Sequence, residues 1–184
     1  MKNKLTSISF ILVIILVIVL VYQLYVAKTL LNIQQERDFL SVESQFEQLA
    51  YRSDRIVEDW DDQDSDASTI LMNEFIRAEG LLWGRPATKY YEVGIGIHSN
   101  ANFTSLAEFL THYYRTVSND LEKLESGDRS TKLKERVTMI SKDMEFLSEH
   151  MNRETLHEFS NYYDFYKHWS NLKEELKNKE AANW

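Results

Sequence analysis

The spacing of apolar and polar positions along this 184-residue chain changes after residue 26. Residues 5–26, from Leu5 to Val26, contain no charged side chain, and every residue from Phe10 to Val21 is apolar. At about 1.5 Å per residue this segment reaches roughly 33 Å as a helix, enough to cross a hydrocarbon core of about 30 Å. Because an isolated strand in lipid would leave its backbone groups unpaired, we predict a transmembrane helix over 5–26 that contacts the lipid bilayer.

A cleaved signal peptide is the alternative interpretation of this segment. Its apolar core would span about 7–15 residues and be followed by small residues at positions −3 and −1 of the cleavage site. The apolar stretch here is longer, and cleavage after Ala27 would put the bulky Tyr25 at −3. We therefore expect an uncleaved signal anchor.

The charged residues on the two sides of the apolar segment predict its orientation. Lys2, Lys4 and the amino terminus crowd residues 1–4, whereas Lys28 and Arg37 on the other side stand among acidic residues. The positive-inside rule then places residues 1–4 in the cytoplasm as a short tail. We expect a single-pass protein of the cell membrane whose carboxyl-terminal domain is extracytoplasmic.

Residues 27–60 show an amphipathic pattern with a 3-4 spacing of apolar residues, which is typical of the heptad seam of a coiled coil. Ser53 is the one polar interruption of this seam. Neither Gly nor Pro separates the seam from the apolar segment, so we predict that the transmembrane helix continues directly into this membrane-proximal helix. The seam consists of Phe39, Val42, Phe46, Leu49, Ile56 and Trp60.

Residues 61–180 carry further apolar stripes at helical spacing. Since each stripe must be buried against another, we predict an all-α fold in which four to five helices form an extracytoplasmic up-down bundle. The stripes consist of Ile70, Leu71, Phe75, Ala78 and Leu82; Leu106, Leu110, Tyr113, Val117, Leu121 and Leu124; Leu133, Val137, Ile140, Met144, Leu147 and Met151; and Leu156, Phe159, Tyr163, Tyr166, Trp169, Leu172 and Leu176.

Local signals predict where these helices begin and end. Two capping boxes, one starting at Ser105 and one at Thr155, predict helix starts, and Gly127 predicts a helix end between them. The chain ends in the polar stretch KNKEAANW, and residues 181–184 are expected to fray, apart from Trp184. Residues 89–97 alternate in a way that suggests a strand, but no partner strand is evident, so we predict an extended packed loop, with a short helix as the alternative.

Composition excludes several function classes. The chain has no cysteine, so it forms no disulfide and no thiolate site. Its net charge of −8 and the lack of a basic block argue against a nucleic-acid partner. We found no nucleophile elbow, phosphate loop or dinucleotide fingerprint, and we predict neither a catalytic residue nor a cofactor.

An acidic stretch after the heptad seam is the candidate metal site. Asp62, Asp64 and Asp66 alternate as ligands do in a calcium loop. However, Ala67 stands where that loop needs glycine, and Asn73 stands where it needs a bidentate glutamate. We interpret the stretch as a solvated turn, with a weak cation site as the alternative.

Aromatic residues provide the candidate partner surface. Tyrosine and tryptophan combine an apolar ring with a polar tip and are enriched in binding surfaces. Adjacent aromatic residues on a helix point about 100° apart, so one stripe cannot bury all of them. The predicted partner-binding residues are Tyr113, Tyr162, Tyr163, Tyr166 and Trp169.

These features predict a membrane-anchored, non-enzymatic interaction, scaffold or accessory module of the cell envelope. Its partner would be another envelope protein or a second copy of the chain. The alternative is an extracytoplasmic ligand-sensing bundle that signals through a partner and holds a polar pocket near Tyr113, His157 or Asp164. The 4-3-4 spacing of four polar residues predicts a common helical face made of His157, Asn161, Asp164 and His168. We interpret this row as the polar flank of an amphipathic helix, with a ligand-binding or acid–base group as the alternative.

Overall fold

The structure is a computed structural model that describes residues 2–61, 66–83, 99–159 and 162–182. These residues are helical and contain no strand, in agreement with the predicted all-α class. The predicted loop 89–97 lies outside the described residues. The helices are α1 (Lys2–Glu58), α2 (Ala67–Trp83), α3 (Ser99–Glu125), α4 (Thr131–His150), α5 (Arg153–His157), α6 (Tyr162–Leu172) and α7 (Lys179–Ala182), with a 3₁₀ turn at Lys173–Glu175. Side chains are described in these ranges except at 2–10, 31, 35, 99–104, 162–163 and 182.

The chain divides into two compact units, Met1–Arg37 and Asp38–Trp184, and α1 contributes residues to both. In the first unit the large apolar side chains from Ile11 to Leu24 are 44–70% exposed. This part of α1 is long and apolar enough to cross a membrane, and none of its most apolar stretch is buried within the protein. A signal sequence near the amino terminus can meet the same criteria of length and hydropathy, and labelling of single cysteines separates the two.

In the second unit, the carboxyl-terminal part of α1 supplies one wall of the core. All six seam positions from Phe39 to Trp60 are buried, as the 3-4 spacing predicts. Ser53 is also fully buried, and its hydroxyl donates to the carbonyl oxygens of Leu49 at 2.8 Å and Ala50 at 3.0 Å. The polar interruption of the seam is therefore satisfied within its own helix and leaves no unpaired group in the core.

The stripes of α3 and α4 are buried at every predicted position. Helix α3 packs against α2, α4, α6 and α7 and thus lies at the centre of the contacts between helices. It ends before Gly127, whose φ of +91° is the left-handed conformation that glycine adopts at low cost after a helix. On α2, Leu71, Phe75, Ala78 and Leu82 are buried, but Ile70 is 40% exposed, so its assignment to the core is wrong.

The fresh helix predicted after Asn152 is present as α5, but neither predicted capping box supplies the cap of a helix. Helix α3 already starts at Ser99, and the hydroxyl of Ser105, inside that helix, accepts a hydrogen bond from Trp169 Nε1 at 3.4 Å. Helix α5 is capped by Asn152, whose Oδ1 accepts from the Thr155 backbone N–H at 3.0 Å. A side chain three residues before Thr155 thus takes the capping role, since Asn is as good a helix cap as Ser or Thr.

The predicted last helix is broken, and the break shifts its buried face. Helix α5 ends at His157 and α6 begins at Tyr162. Because the helical phase restarts there, Phe165 is fully buried where an unbroken stripe would bury Tyr166, and Tyr166 is 36% exposed. Fraying of residues 181–184 is also wrong for Ala181, which is fully buried in α7, while residues 183–184 lie outside the described part.

Candidate functional site

The second unit holds a fully buried carboxylate, Asp143, in the middle of α4. Burying a charged group is costly unless hydrogen bonds replace its water. Asp143 directly precedes Met144, a residue of the buried stripe of α4. Its side chain points about 100° away from that of Met144 around the helix and therefore lies at the edge of the stripe. The sequence analysis missed this residue, because an aspartate next to an apolar stripe is usually a solvated helix residue.

Three neutral donors surround the Asp143 carboxylate. The Tyr113 hydroxyl on α3 donates to Oδ2 at 2.9 Å. The Lys177 backbone N–H donates to Oδ1 at 2.5 Å, and the Asn178 backbone N–H donates to Oδ2 at 2.9 Å. Asp143 therefore joins α3, α4 and the segment before α7, and hydrogen bonds to a charged acceptor of this kind are the stronger ones in proteins.

The environment of Tyr113 keeps its hydroxyl protonated. Burial raises the pKa of Tyr113 well above its ordinary value, and the charge of Asp143 and the hydrogen bond to it raise this pKa further. A hydrogen bond with the Asn178 side chain acts in the opposite direction and is the smallest of these effects. The tyrosine thus serves as a permanent donor to the carboxylate at neutral pH.

This raised pKa predicts a loss of stability in alkali. The folded protein keeps the Tyr113 proton at a pH at which the unfolded chain, with an ordinary tyrosine pKa of about 10, releases it. The stabilising contribution is therefore complete below about pH 10 and is lost as the pH rises toward the folded-state pKa. Above about pH 10, Tyr113 should add up to about 1.4 kcal/mol per pH unit to the fall in the free energy of unfolding.

The measurement is denaturant unfolding at a series of pH values for the wild type and for Tyr113→Phe. All other tyrosines and lysines titrate in both proteins, so the difference between their slopes isolates Tyr113. We expect a shallower alkaline slope for Tyr113→Phe. Equal slopes would contradict the assignment of the raised pKa to this residue.

A second buried acidic group also joins α3 and α4. Asp120 Oδ2 lies 2.6 Å from Arg136 Nη2, and the Asp120 side chain is 4% exposed while that of Arg136 is 38% exposed. Within the described ranges, Asp120 Oδ1 has no hydrogen-bond partner. This ion pair links α3 to α4 at the edge of the core, where the arginine reaches the solvent.

The five residues predicted to bind a partner occupy different environments. Tyr113 and Trp169 are fully buried, and the Trp169 ring meets Phe109 edge-on at 4.7 Å between centroids. Neither offers its side chain to a partner in this conformation. Tyr166 is 36% exposed and remains a candidate. Tyr162 and Tyr163 begin α6, and their side chains lie outside the described part.

The predicted polar row is divided by the break between α5 and α6. His157 is on α5 and accepts a hydrogen bond at Nε2 from Arg153 Nε at 3.2 Å. On α6, His168 Nε2 lies 2.8 Å from the carbonyl oxygen of His150. Because a carbonyl oxygen only accepts, that ring nitrogen carries the proton and donates. The two histidines thus serve separate local contacts and do not share one helical face.

The candidate cation loop is described at Asp66 only, since Asp62 and Asp64 lie outside the described ranges. Asp66 is exposed at the turn before α2, and its carbonyl oxygen accepts the Ile70 backbone N–H at 2.8 Å. Among the residues whose positions are described, no group of three His, Asp or Glu side chains is arranged to hold a metal ion.

Helix α2 exposes four large apolar side chains, of which only Ile70 belonged to the predicted stripe. Ile70 and Leu81 flank one side of its buried stripe, and Ile76 and Trp83 flank the other. Their exposed fractions are 40%, 41%, 51% and 48%. We refer to these four residues as the exposed α2 residues. Exposed apolar residues of this kind can be recognised in the sequence because they fall outside the helical spacing of the buried stripe, as Ile76 and Trp83 do.

No protein family, curated protein sequence or solved structure matches this chain.

Proposed function

We propose that this protein is a single-pass membrane protein whose helical domain is a non-enzymatic interaction module of the cell envelope. Residues 5–26 would span the bilayer, residues 1–4 would lie in the cytoplasm and residues 38–184 outside. The exposed apolar side chains of the first unit carry this proposal, since an apolar surface of this size is stable in lipid and not in water. We further propose an up-down arrangement of the domain helices, supported by the short connection 126–130 between α3 and α4.

Labelling of single cysteines tests the anchor and its orientation. The chain has no cysteine, so Asn3→Cys and Glu145→Cys each introduce a unique thiol, and Glu145 is exposed on α4. In intact cells, a membrane-impermeant thiol reagent should label Glu145→Cys and should label Asn3→Cys only after permeabilisation. Labelling of Asn3→Cys in intact cells would reverse the orientation. Loss of the Asn3→Cys site from the mature chain would show a cleaved signal peptide.

The exposed α2 residues support the interaction part of the proposal. Most large apolar residues of α2, α3 and α4 are buried, and the buried acids Asp143 and Asp120 are engaged within the domain. Of the exposed α2 residues, Ile76 and Trp83 lie two turns apart on the same side of the helix, and neighbouring exposed apolar residues are typical of a surface that contacts a partner. The partner would be another envelope protein or a second copy of the chain.

Site-specific photocrosslinking tests this interaction. A photoreactive residue in place of Ile76 should give an adduct of one defined size in intact cells. The matched control places the same residue at Glu145, which is equally accessible on α4 and has no large exposed apolar neighbour among the α4 residues that the structure describes. Absence of an adduct from position 76, or the same adduct from both positions, would refute the proposed surface.

A further inference from the structure

The residues after the 3₁₀ turn form a short segment that is docked on α3 and α4. Leu176 and Ala181 are buried at 1% and 0% exposure, and α7 packs against α3. Between these two apolar contacts, the backbone N–H groups of Lys177 and Asn178 both donate to the Asp143 carboxylate. We call residues 176–182 the C-terminal latch.

The latch has little stability of its own. Its helix, α7, has four residues, and isolated helices shorter than about 12 residues are marginal in water. Inside the latch, Asn178 Oδ1 accepts the Ala181 backbone N–H at 3.2 Å, and the Lys179 backbone N–H donates to the Lys177 carbonyl oxygen at 3.0 Å. These two hydrogen bonds stabilise a turn, but they bury no apolar side chain within the latch. The latch is therefore folded only while it packs on α3 and α4.

We propose that the C-terminal latch releases from α3 and α4 as a unit while those helices remain folded. Segments with few buried contacts open at a lower free energy than the core. Among the described residues, the latch is held by the buried side chains of Leu176 and Ala181, by two backbone hydrogen bonds to Asp143 and by the hydrogen bond between the Asn178 side chain and Tyr113. Release also leaves no charge stranded. The Asp143 carboxylate becomes accessible to water and keeps its bond from the Tyr113 hydroxyl.

The hydrogen bonds that Asp143 accepts therefore hold the latch in its closed position. With the latch closed, the carboxylate is fully buried and engaged by three donors. With the latch open, the carboxylate and the tyrosine hydroxyl face the solvent. The domain thus has two states that differ in the accessibility of one acidic group.

Hydrogen exchange of the full-length protein in detergent measures latch opening directly. In the wild type, we expect the backbone amides of 177–182 to exchange faster than those of α4, but slower than those of an unstructured peptide. This pattern would show a segment that is closed most of the time and opens without the helices beneath it. Equal exchange in the latch and in α4 would overturn the proposal, because the two would then open together.

A proline substitution disrupts the contact between the latch and Asp143 at one pair of atoms. Lys177→Pro deletes the backbone N–H that donates to Asp143 Oδ1 and puts the ring Cδ atom in the place of its hydrogen, so this contact is lost while the Asp143 carboxylate and the Tyr113 hydroxyl are retained. Leu176 has φ −60° and ψ 146°, the extended conformation that a residue before proline prefers. The matched control is Lys177→Ala, which removes the exposed lysine side chain and keeps the N–H group.

The two variants make the outcome decisive. Lys177→Pro should speed exchange of amides 178–182 by about tenfold or more, the effect of losing one hydrogen bond to a charged acceptor. It should leave exchange in α4 unchanged, and Lys177→Ala should leave both regions unchanged. Identical exchange rates of the latch amides in the two variants would show that Asp143 does not hold the latch closed. A Lys177→Pro chain that fails to fold, or that exchanges faster in α4 as well, would place the latch within the cooperative core and overturn the proposal.

Discussion

Trp169→Ala is expected to lower the free energy of unfolding of the helical domain by about 3–5 kcal/mol. The indole is fully buried, packs edge-on against Phe109 and donates from Nε1 to the Ser105 hydroxyl. Its removal leaves a large cavity between α3 and α6, two helices that contact each other in the native domain, and deprives Ser105 of a partner. The shift of the denaturation midpoint, at unchanged dependence on denaturant, measures this loss.

Tyr166→Ala is the matched control on the same helix. Tyr166 is 36% exposed, so its truncation should lower the free energy of unfolding by about 1 kcal/mol, well below the effect of Trp169→Ala. Trp169 and Tyr166 were both predicted to bind a partner, but Trp169 is fully buried and Tyr166 is partly exposed. An equal effect of the two substitutions would contradict the orientation of α6, in which Trp169 faces the core and Tyr166 does not. Loss of a crosslinked partner in Tyr166→Ala alone would support a surface role for this tyrosine.

Asp143→Ala is expected to cost about 1–3 kcal/mol, because it leaves the buried Tyr113 hydroxyl without its acceptor. The N–H groups of Lys177 and Asn178 also lose their acceptor, but release of the latch exposes them to water and limits their share of the cost. The latch amides should also lose their protection from exchange. Chemical denaturation followed by circular dichroism measures the change in the free energy of unfolding.

Glu145→Ala controls for the loss of an acidic residue from α4. Glu145 is exposed two residues after Asp143, so its removal changes the net charge equally and leaves the buried network intact. We expect an effect of about 0.5 kcal/mol or less. If both variants were equally stable, the hydrogen bonds of Asp143 would contribute nothing to the fold. Water entering the site of Asp143→Ala would reduce the cost without abolishing it.

Every apolar position predicted for the core of α1, α3 and α4 is buried, although the prediction missed Ala107 and Phe109 of α3. Positions from Phe39 to Trp60 and from Leu133 to Met151 repeat at helical spacing over four or more turns, and such a repeat leaves one way to bury the apolar face. The end of α3 was predictable for a similar reason. Only glycine takes the left-handed conformation of residue 127 without strain.

The break between α5 and α6 was not predictable from local signals. Neither glycine nor proline occurs from Arg153 to Leu172, and the apolar residues allow one unbroken stripe. Asn152 competes with Thr155 for the cap, and tertiary packing of Phe165 and Trp169 decides the phase of α6. The apolar stripe thus gives the existence of a helix more reliably than its boundaries.

The Asp143 site was hidden because its partners lie far apart in the chain. Tyr113 is 30 residues away, and Lys177 and Asn178 are 34 and 35 residues away. Two of the three donors are backbone groups, which every residue except proline carries, so no motif marks them. Only the packing of α3, α4 and the latch brings them to one carboxylate.

The positions of the tryptophans give the domain a built-in optical reporter. Trp60 and Trp169 are 3% and 0% exposed, whereas Trp83, at the end of α2, is 48% exposed. Indoles in an apolar interior emit at shorter wavelength than indoles in water. A blue shift that disappears in Trp83→Phe would therefore signal contact at the exposed α2 residues, while the emission of Trp60 and Trp169 would follow unfolding.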